Sequence, residues 1–276
     1  MTKDDKDSPL PLTQHGVFVI RGMQLAIPAG GLVIAVGEDG NLTGELRALH
    51  LRIDMCARWM AIAYQHLLAA ESAHKEVLEA ARNNKEEDLG SAIERETDAG
   101  MQAISASCTA VDAYYALLRE HTKIDEQTLE SWRSNRTARY IQIAEVVRRT
   151  FKIPQAVSDQ VRSILQQAFP IRDDSLHPTG KMSDPMMYEE IGRSTARWLV
   201  VVRHENAKMV VGQCLMVIAA TIACDLRQYS QEFSDTLKWT AQLVAPIVVA
   251  WQEHYGPLGD PAPPFAGKRQ NSSDRS

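Results

Sequence analysis

The sequence predicts a mainly α protein: a long helical hairpin plus an up-down helical bundle, preceded by a small N-terminal β-hairpin or three-stranded meander. Three observations predict it. Apolar residues recur at helical spacing from about residue 46 to residue 254. Proline-bearing or strongly polar stretches interrupt that pattern at intervals of about one helix. β-branched runs with flanking turn residues stand together only near the N-terminus, at 17–20 and 32–36.

Residues 1–14, "MTKDDKDSPLPLTQ", are polar and acidic and read as a disordered tail without the basic-then-apolar pattern of a signal peptide. The β region covers 15–45, with turn chemistry in "PAGG" and "GEDGN". Neither stretch has the lysine and spacing of a phosphate-binding loop. From Glu45 the period becomes helical through Leu46, Leu49, Ile53, Met60, Leu67 and Val77, to about Arg82. "NNKEED", 83–88, is a polar turn whose acidic residues suit the next helix N-terminus. That second helix carries Leu89, Ile93, Ile104, Val111, Tyr115 and Leu118 and ends near "HTKID". Two helices of this length on so short a turn pack antiparallel.

A third helix is expected over 125–151 and a shorter one over 155–168. Pro170 then opens a break, "PIRDDSLHPTG". From "SDP" at 183–185, a cap and first-turn proline, one long helix is expected to about Gln228. A final helix over 231–254 contains Pro246, which should kink or interrupt it. The helical bundle domain is thus 46–254, and the Pro-, Gly- and Ser-rich stretch 255–276 reads as a second disordered tail.

Apolar content of 45% and charged content of 24% are those of a soluble globular protein. The net charge of −5 argues against nucleic acid wrapped over the whole surface and leaves room for a local basic stripe. Cys56, Cys108, Cys214 and Cys224 lie far apart in apolar helical patterns and read as buried, reduced thiols. The longest apolar run, 209–224, is shorter than the roughly 20 residues of a membrane span, so a core helix and a cytoplasmic location are expected. No metal or other cofactor is expected. Glu71 and His74 in "ESAH" have the spacing of a di-iron ligand pair, but no second copy exists, and both read as exposed helix residues.

The break at 170–180 carries the functional expectation. An arginine followed by a histidine a few residues later recurs by chance; Arg197 and His204 are a second match, joined by an apolar stretch that places them within a helix. Arg172 and His177 instead bracket a polar segment between helices, where a loop can present both side chains to one pocket. "IRDDSLHP" resembles the signature of the HEPN superfamily (higher eukaryotes and prokaryotes nucleotide-binding domains), an arginine, a polar residue and then a histidine between two helices of a bundle. "ISASCTAVDAYYALL", 104–118, resembles a small-and-aromatic helix face of that bundle. On this resemblance Arg172 is the family arginine, Asp173 the polar residue after it, where asparagine is commoner, and His177 the histidine.

The resemblance implies a metal-independent endoribonuclease, or an RNA-binding relative, of toxin or defence type. RNA, a second copy of the chain and a neutralising protein are the partners it implies, and no membrane. RNA supplies its own 2′-hydroxyl nucleophile, so His177 would exchange protons near neutral pH and Arg172 would grip the phosphate. The stretch 132–152 adds Arg133, Arg136, Arg139, Arg148 and Arg149, with Arg133, Arg136 and Arg139 expected on one helix face as a phosphate-contacting surface. Two other readings stay open. Arg172 could be a clamp on Asp173, Asp174 or a nearby Glu, and the basic stretch a solvated face. The protein would then be a non-enzymatic helical scaffold or interaction module whose β-hairpin docks a partner.

Overall fold

The structure is a computed structural model and describes residues 17–37, 39–176, 184–223 and 229–259. Two compact units divide the chain after Asp54.

The first unit is the expected small β region, built as two antiparallel strand pairs. β1 (Met23–Ala26) pairs antiparallel with β4 (His50–Ile53), and β2 (Leu32–Val36) with β3 (Leu42–Leu46) between them in sequence. The helical spacing expected from Glu45 does not hold here: Leu46 lies in β3 and Ile53 in β4. Alternation of His50, Leu51, Arg52 and Ile53 suits one covered and one wet face, and it prevails over the weaker helical spacing. Gly30 and Gly40 take the left-handed backbone that the two turns require.

The second unit is the helical bundle. α1 (Met55–Arg82) and α2 (Glu86–His121) form the expected hairpin, joined through Asn84 at φ 53°. The expected helix over 125–151 is two helices, α3 (Glu126–Ser134) and α4 (Arg139–Phe151). Asp125 caps α3 by accepting from Thr128 N–H at 2.8 Å. Arg136 ends it at φ 48°, with Thr137 N–H returning to the Trp132 carbonyl and Arg136 N–H to Arg133, a Schellman closure.

α5 (Gln155–Leu176) also differs from expectation, because it runs through Pro170. Proline leaves one carbonyl of the preceding turn without its helical donor. Leu165, Ala168 and Phe169 are buried and Ile171 packs against the same core, which holds the helix across that defect. The helix is described as far as Leu176, and residues 177–183 lie outside the described residues.

The long helix expected from 185 to 228 is not formed. A hairpin of β5 (Met186–Tyr188) and β6 (Arg193–Thr195) encloses a 3-10 turn, with Gly192 at φ 64°. α6 (Arg197–Val201) and α7 (His204–Ile222) follow. Asn206 Nδ2 donates to the Val200 and Val201 carbonyls, satisfying the end of α6 and separating the two helices. Arg197 and His204 consequently both sit at helix starts. α8 (Gln231–Tyr255) continues past Pro246, and Tyr255 is helical rather than part of a tail. The expected tail at 1–14 and residues 260–276 lie outside the described residues.

α2 and α7 form the middle of the bundle: α2 packs on α1, α4, α5 and α7, and α7 packs on α1, α2, α5 and α8. Among the described residues α7 is the one helix long and apolar enough to cross a membrane, and 56% of its apolar window is buried in the bundle, as for a core helix. Cys56, Cys108 and Cys214 are buried thiols outside any disulfide, as expected; Cys224 lies outside the described residues.

Close packing makes one glycine decisive. A Cβ on Gly100 of α2 would lie 1.9 Å from the Val202 carbonyl oxygen, a backbone atom. Gly100→Ala should therefore lose at least about 2–3 kcal/mol in urea denaturation. Gly90→Ala, where a Cβ meets nothing, should be neutral or gain up to about 1 kcal/mol from helix propensity.

Candidate functional site

Arg172 lies four residues before the end of α5. Its Nη2 and Nε donate to Asp173 Oδ1 at 2.8 and 3.0 Å, and its Nη1 donates to Asp112 Oδ2 of α2 at 3.2 Å. The guanidinium lies 4.5 Å from the Phe169 ring centroid. Burial works against its charge, but the Asp173 contact outweighs that and raises the pKa further. The side chain is 19% exposed. The clamp onto Asp173 is thus formed, and Asp112 is an additional partner from sixty residues upstream. His177 lies outside the described residues.

Asp112 holds a second arginine. Arg139 Nε, at the start of α4, donates to Asp112 Oδ1 at 2.8 Å, and its guanidinium lies over the Tyr115 ring at 4.3 Å. One carboxylate therefore brings together the motif arginine and one member of the basic stretch.

The other basic residues are placed differently. Arg148 and Arg149 both bind Glu145, at 2.7 and 2.6 Å, and Arg149 also reaches Asp125. Arg148, and with it Arg149, holds the Glu145 carboxyl below its usual pKa. Arg133 lies 3.5 Å from Glu126. Arg136 is exposed in the turn between α3 and α4. Arg133, Arg136 and Arg139 do not share a helix face, because that turn separates them.

A second polar cluster joins α1, α2, β5 and α7, and of its members the sequence expectation of exposure covered His74 alone. Glu96 of α2 is 1% exposed. Its Oε1 accepts from His74 Nδ1 of α1 at 3.0 Å and from the backbone N–H of His204, the first residue of α7, at 2.9 Å. Its Oε2 accepts from the Tyr188 hydroxyl of β5 at 2.7 Å. His74 is buried as well and Glu71 is half-buried, so the expectation of an exposed Glu71–His74 pair fails for both. Glu71 instead binds His254 Nε2 and the Tyr255 hydroxyl, at 2.6 and 2.8 Å, and its pKa is lowered to about 2: burial raises it, and bonds from Lys75, His254 and Tyr255 outweigh that.

The His204 ring packs 5.5 Å from the His74 ring, with Nδ1 3.5 Å from Glu205 Oε1. A groove of about 670 Å³ runs along α7 between α5 and α8, with Glu205, Lys208 and Tyr255 toward one end and Met209, Met216 and Leu258 among its apolar lining. Among the described residues no group of three or more His, Cys, Asp or Glu side chains is placed to hold a metal ion.

Chemically the two clusters differ. The Glu96 cluster is sealed, and the His74, Tyr188 and His204 backbone donors are spent on Glu96. The Asp112 cluster is half exposed and presents two cations beside the chain leading to His177. Burial alone would raise the Glu96 pKa, but the bonds from His74, the His204 backbone and Tyr188 lower it below its ordinary 4.5. The Glu96 bond raises His74 above its ordinary 6.5, against burial. Stability from Glu96 is therefore full above pH 4.5 and lost as the pH falls through its lowered value. Stability from His74 is full below pH 6.5 and lost as the pH rises through its raised value. Glu96→Gln should cost about 3–5 kcal/mol at neutral pH and flatten both limbs of the stability-versus-pH curve, measured by urea denaturation across pH. No protein-family model, curated protein or solved structure matches the chain.

Proposed function

We propose that the chain is an RNA-binding helical protein of the HEPN kind, cleaving RNA without a metal through Arg172 and His177, and acting in the cytoplasm. One observation carries this reading: Asp112 joins Arg172 to Arg139, so two features read separately in the sequence, the arginine–histidine motif and the basic stretch, converge on one carboxylate. His177 directly follows Leu176, the end of α5. In the reaction the 2′-hydroxyl attacks the neighbouring phosphorus and the 5′-oxygen leaves. His177 exchanges protons with these oxygens, and Arg172 balances the charge that gathers on the phosphoryl oxygens. Asp112 holds the guanidinium in place, Asp173 gives way to the substrate phosphate, and Arg139 and Arg136 contact flanking phosphates. A neutralising protein belongs to the same reading.

A second reading, a non-enzymatic interaction module, draws on the pairing of Arg133, Arg148 and Arg149 with Glu126, Glu145 and Asp125, which leaves a narrow basic surface. In that case Arg172 is only a clamp between α5 and α2.

The test is to incubate labelled RNA with the purified protein in chelator. The unaltered protein should cleave it, and Arg172→Ala and His177→Ala should each lose the activity while keeping the helical circular dichroism. Intact RNA with the unaltered protein would leave the second reading. For binding, Arg139→Ala and Arg136→Ala should each reduce the slope of log affinity against log salt by about one, whereas Arg148→Ala should leave it unchanged.

A further inference from the structure

The groove along α7 lies within the helical unit and holds about 670 Å³, the size of a small-molecule site, with a mostly apolar lining. Gly212 shapes its wall: a Cβ there would lie 2.8 Å from the Trp251 ring, so the indole rests directly against the α7 backbone. Met209 and Met216 extend the apolar lining, and thioethers adapt to varied ligand shapes. The eight residues from Lys208 to Met216 span about 12 Å of helix. The charges gather at the N-terminal end of α7. Glu205 and Lys208 stand three residues apart, as neighbours on one helix face, yet among the described residues no ion pair joins them. Lys208 is half-buried, and its ammonium lies 5.0 Å over the Tyr255 ring with no carboxylate partner among the described residues. Glu205 has only His204 Nδ1 beside it, at 3.5 Å, beyond a normal hydrogen bond. Gln213 lines the same groove, and its Oε1 is buried without a hydrogen-bond partner.

We propose that this groove binds a large apolar α-amino acid in its zwitterionic form. The ligand's carboxylate pairs with Lys208 and its ammonium with Glu205, while its side chain lies along Met209, Met216 and Trp251. The two charges decide the class. A fatty acid would satisfy Lys208 but bring its carboxylate against Glu205, and an apolar amine would satisfy Glu205 but meet Lys208. A neutral apolar molecule would strip water from both charges and return nothing. A zwitterion answers one cation and one anion within a single turn of helix, through charge-assisted bonds in both directions. The Gln213 carbonyl adds an acceptor for a side chain that carries an N–H, as an indole does. None of the groove's lining residues belongs to the Arg172 cluster, so the inference does not depend on the RNA reading.

The experiment is titration calorimetry on the full chain with L-tryptophan, L-phenylalanine and L-leucine. At least one should bind saturably, one per chain, with a Kd below about 1 mM. Its N-acetyl derivative, which lacks the ammonium, and its amide, which lacks the carboxylate, should each bind at least about tenfold more weakly. Glu205→Gln should weaken the amino acid by a similar factor but not the N-acetyl derivative. Lys208→Gln should weaken the amino acid but not the amide. Both variants should keep the helical circular dichroism. No saturable binding by any of the three amino acids overturns the inference, and so does binding that survives both variants. Decanoate or the N-acetyl derivative binding more tightly than the amino acid would overturn it equally, by making the groove a site for apolar acids.

Discussion

Glu96 is the constraint on which the helical unit depends. A carboxylate with 1% exposure is costly to desolvate, by several kcal/mol, unless donors replace its water. It has three, one each from α1, β5 and α7, so that burying one charge fixes the relative positions of four elements. The His204 N–H is one of the groups that an α-helix leaves unsatisfied at its start, and the residue before α7 supplies no side-chain cap. Glu96 is therefore the cap of α7, delivered from another helix and favourably placed against the helix dipole. Gly100 lies one turn further along α2, on the same face, and its missing side chain admits the Val202 carbonyl. The joint between α6 and α7 is held by this pair: a charge that binds it and a glycine that makes room for it.

The same helix carries the second polar centre. Asp112 lies sixteen residues beyond Glu96, about 24 Å along α2. The two acids sit in different surroundings. Tyr188, Val200 and the small satellite core close over the Glu96 end, and the hairpin of β5 and β6 covers it. At the Asp112 end the arginines of α4 and α5 lie over Tyr115 and Phe169 with their outer edges in solvent. A sealed ionic cluster orders a fold, and a half-exposed one can exchange a partner.

Much of this was legible in the sequence, but not the two acids. The hairpin of α1 and α2, the central apolar helix and the β-rich start follow from periodicity alone. Glu96 was hidden because "ERETDAG" has the composition of a solvated surface, although its position falls on the buried stripe of Leu89, Ala92, Gly100 and Ala103. His74 likewise falls on the stripe of Leu67, Ala70 and Val77. Spacing therefore placed both on the core face, and residue type disguised them. The failures at 134–139, 170 and 185–203 have another origin. Each involves a local signal outweighed by a tertiary or capping interaction: Arg136 in a Schellman turn, Pro170 carried by its buried neighbours, and Asn206 closing α6. Asp112 gave no sign of its two arginines, which join it from 27 and 60 residues away.

The ion pairs at Arg172 bear directly on the proposed chemistry. Two arginines and two aspartates leave the Asp112 cluster neutral, so an incoming phosphate has to displace a carboxylate. Asp173 is the one it would displace. It is 57% exposed and adjacent in sequence, and exposed pairs contribute only about 0–1 kcal/mol. Asp112 is less exposed and is shared with Arg139, so it would stay and keep the guanidinium oriented. Glu145 offers no such exchange, because Arg148 binds it through two nitrogens while Arg149 binds it from the next residue. On the proposed reading, then, the difference between a structural and a functional arginine in this chain is set less by its own exposure than by how cheaply its carboxylate can be replaced.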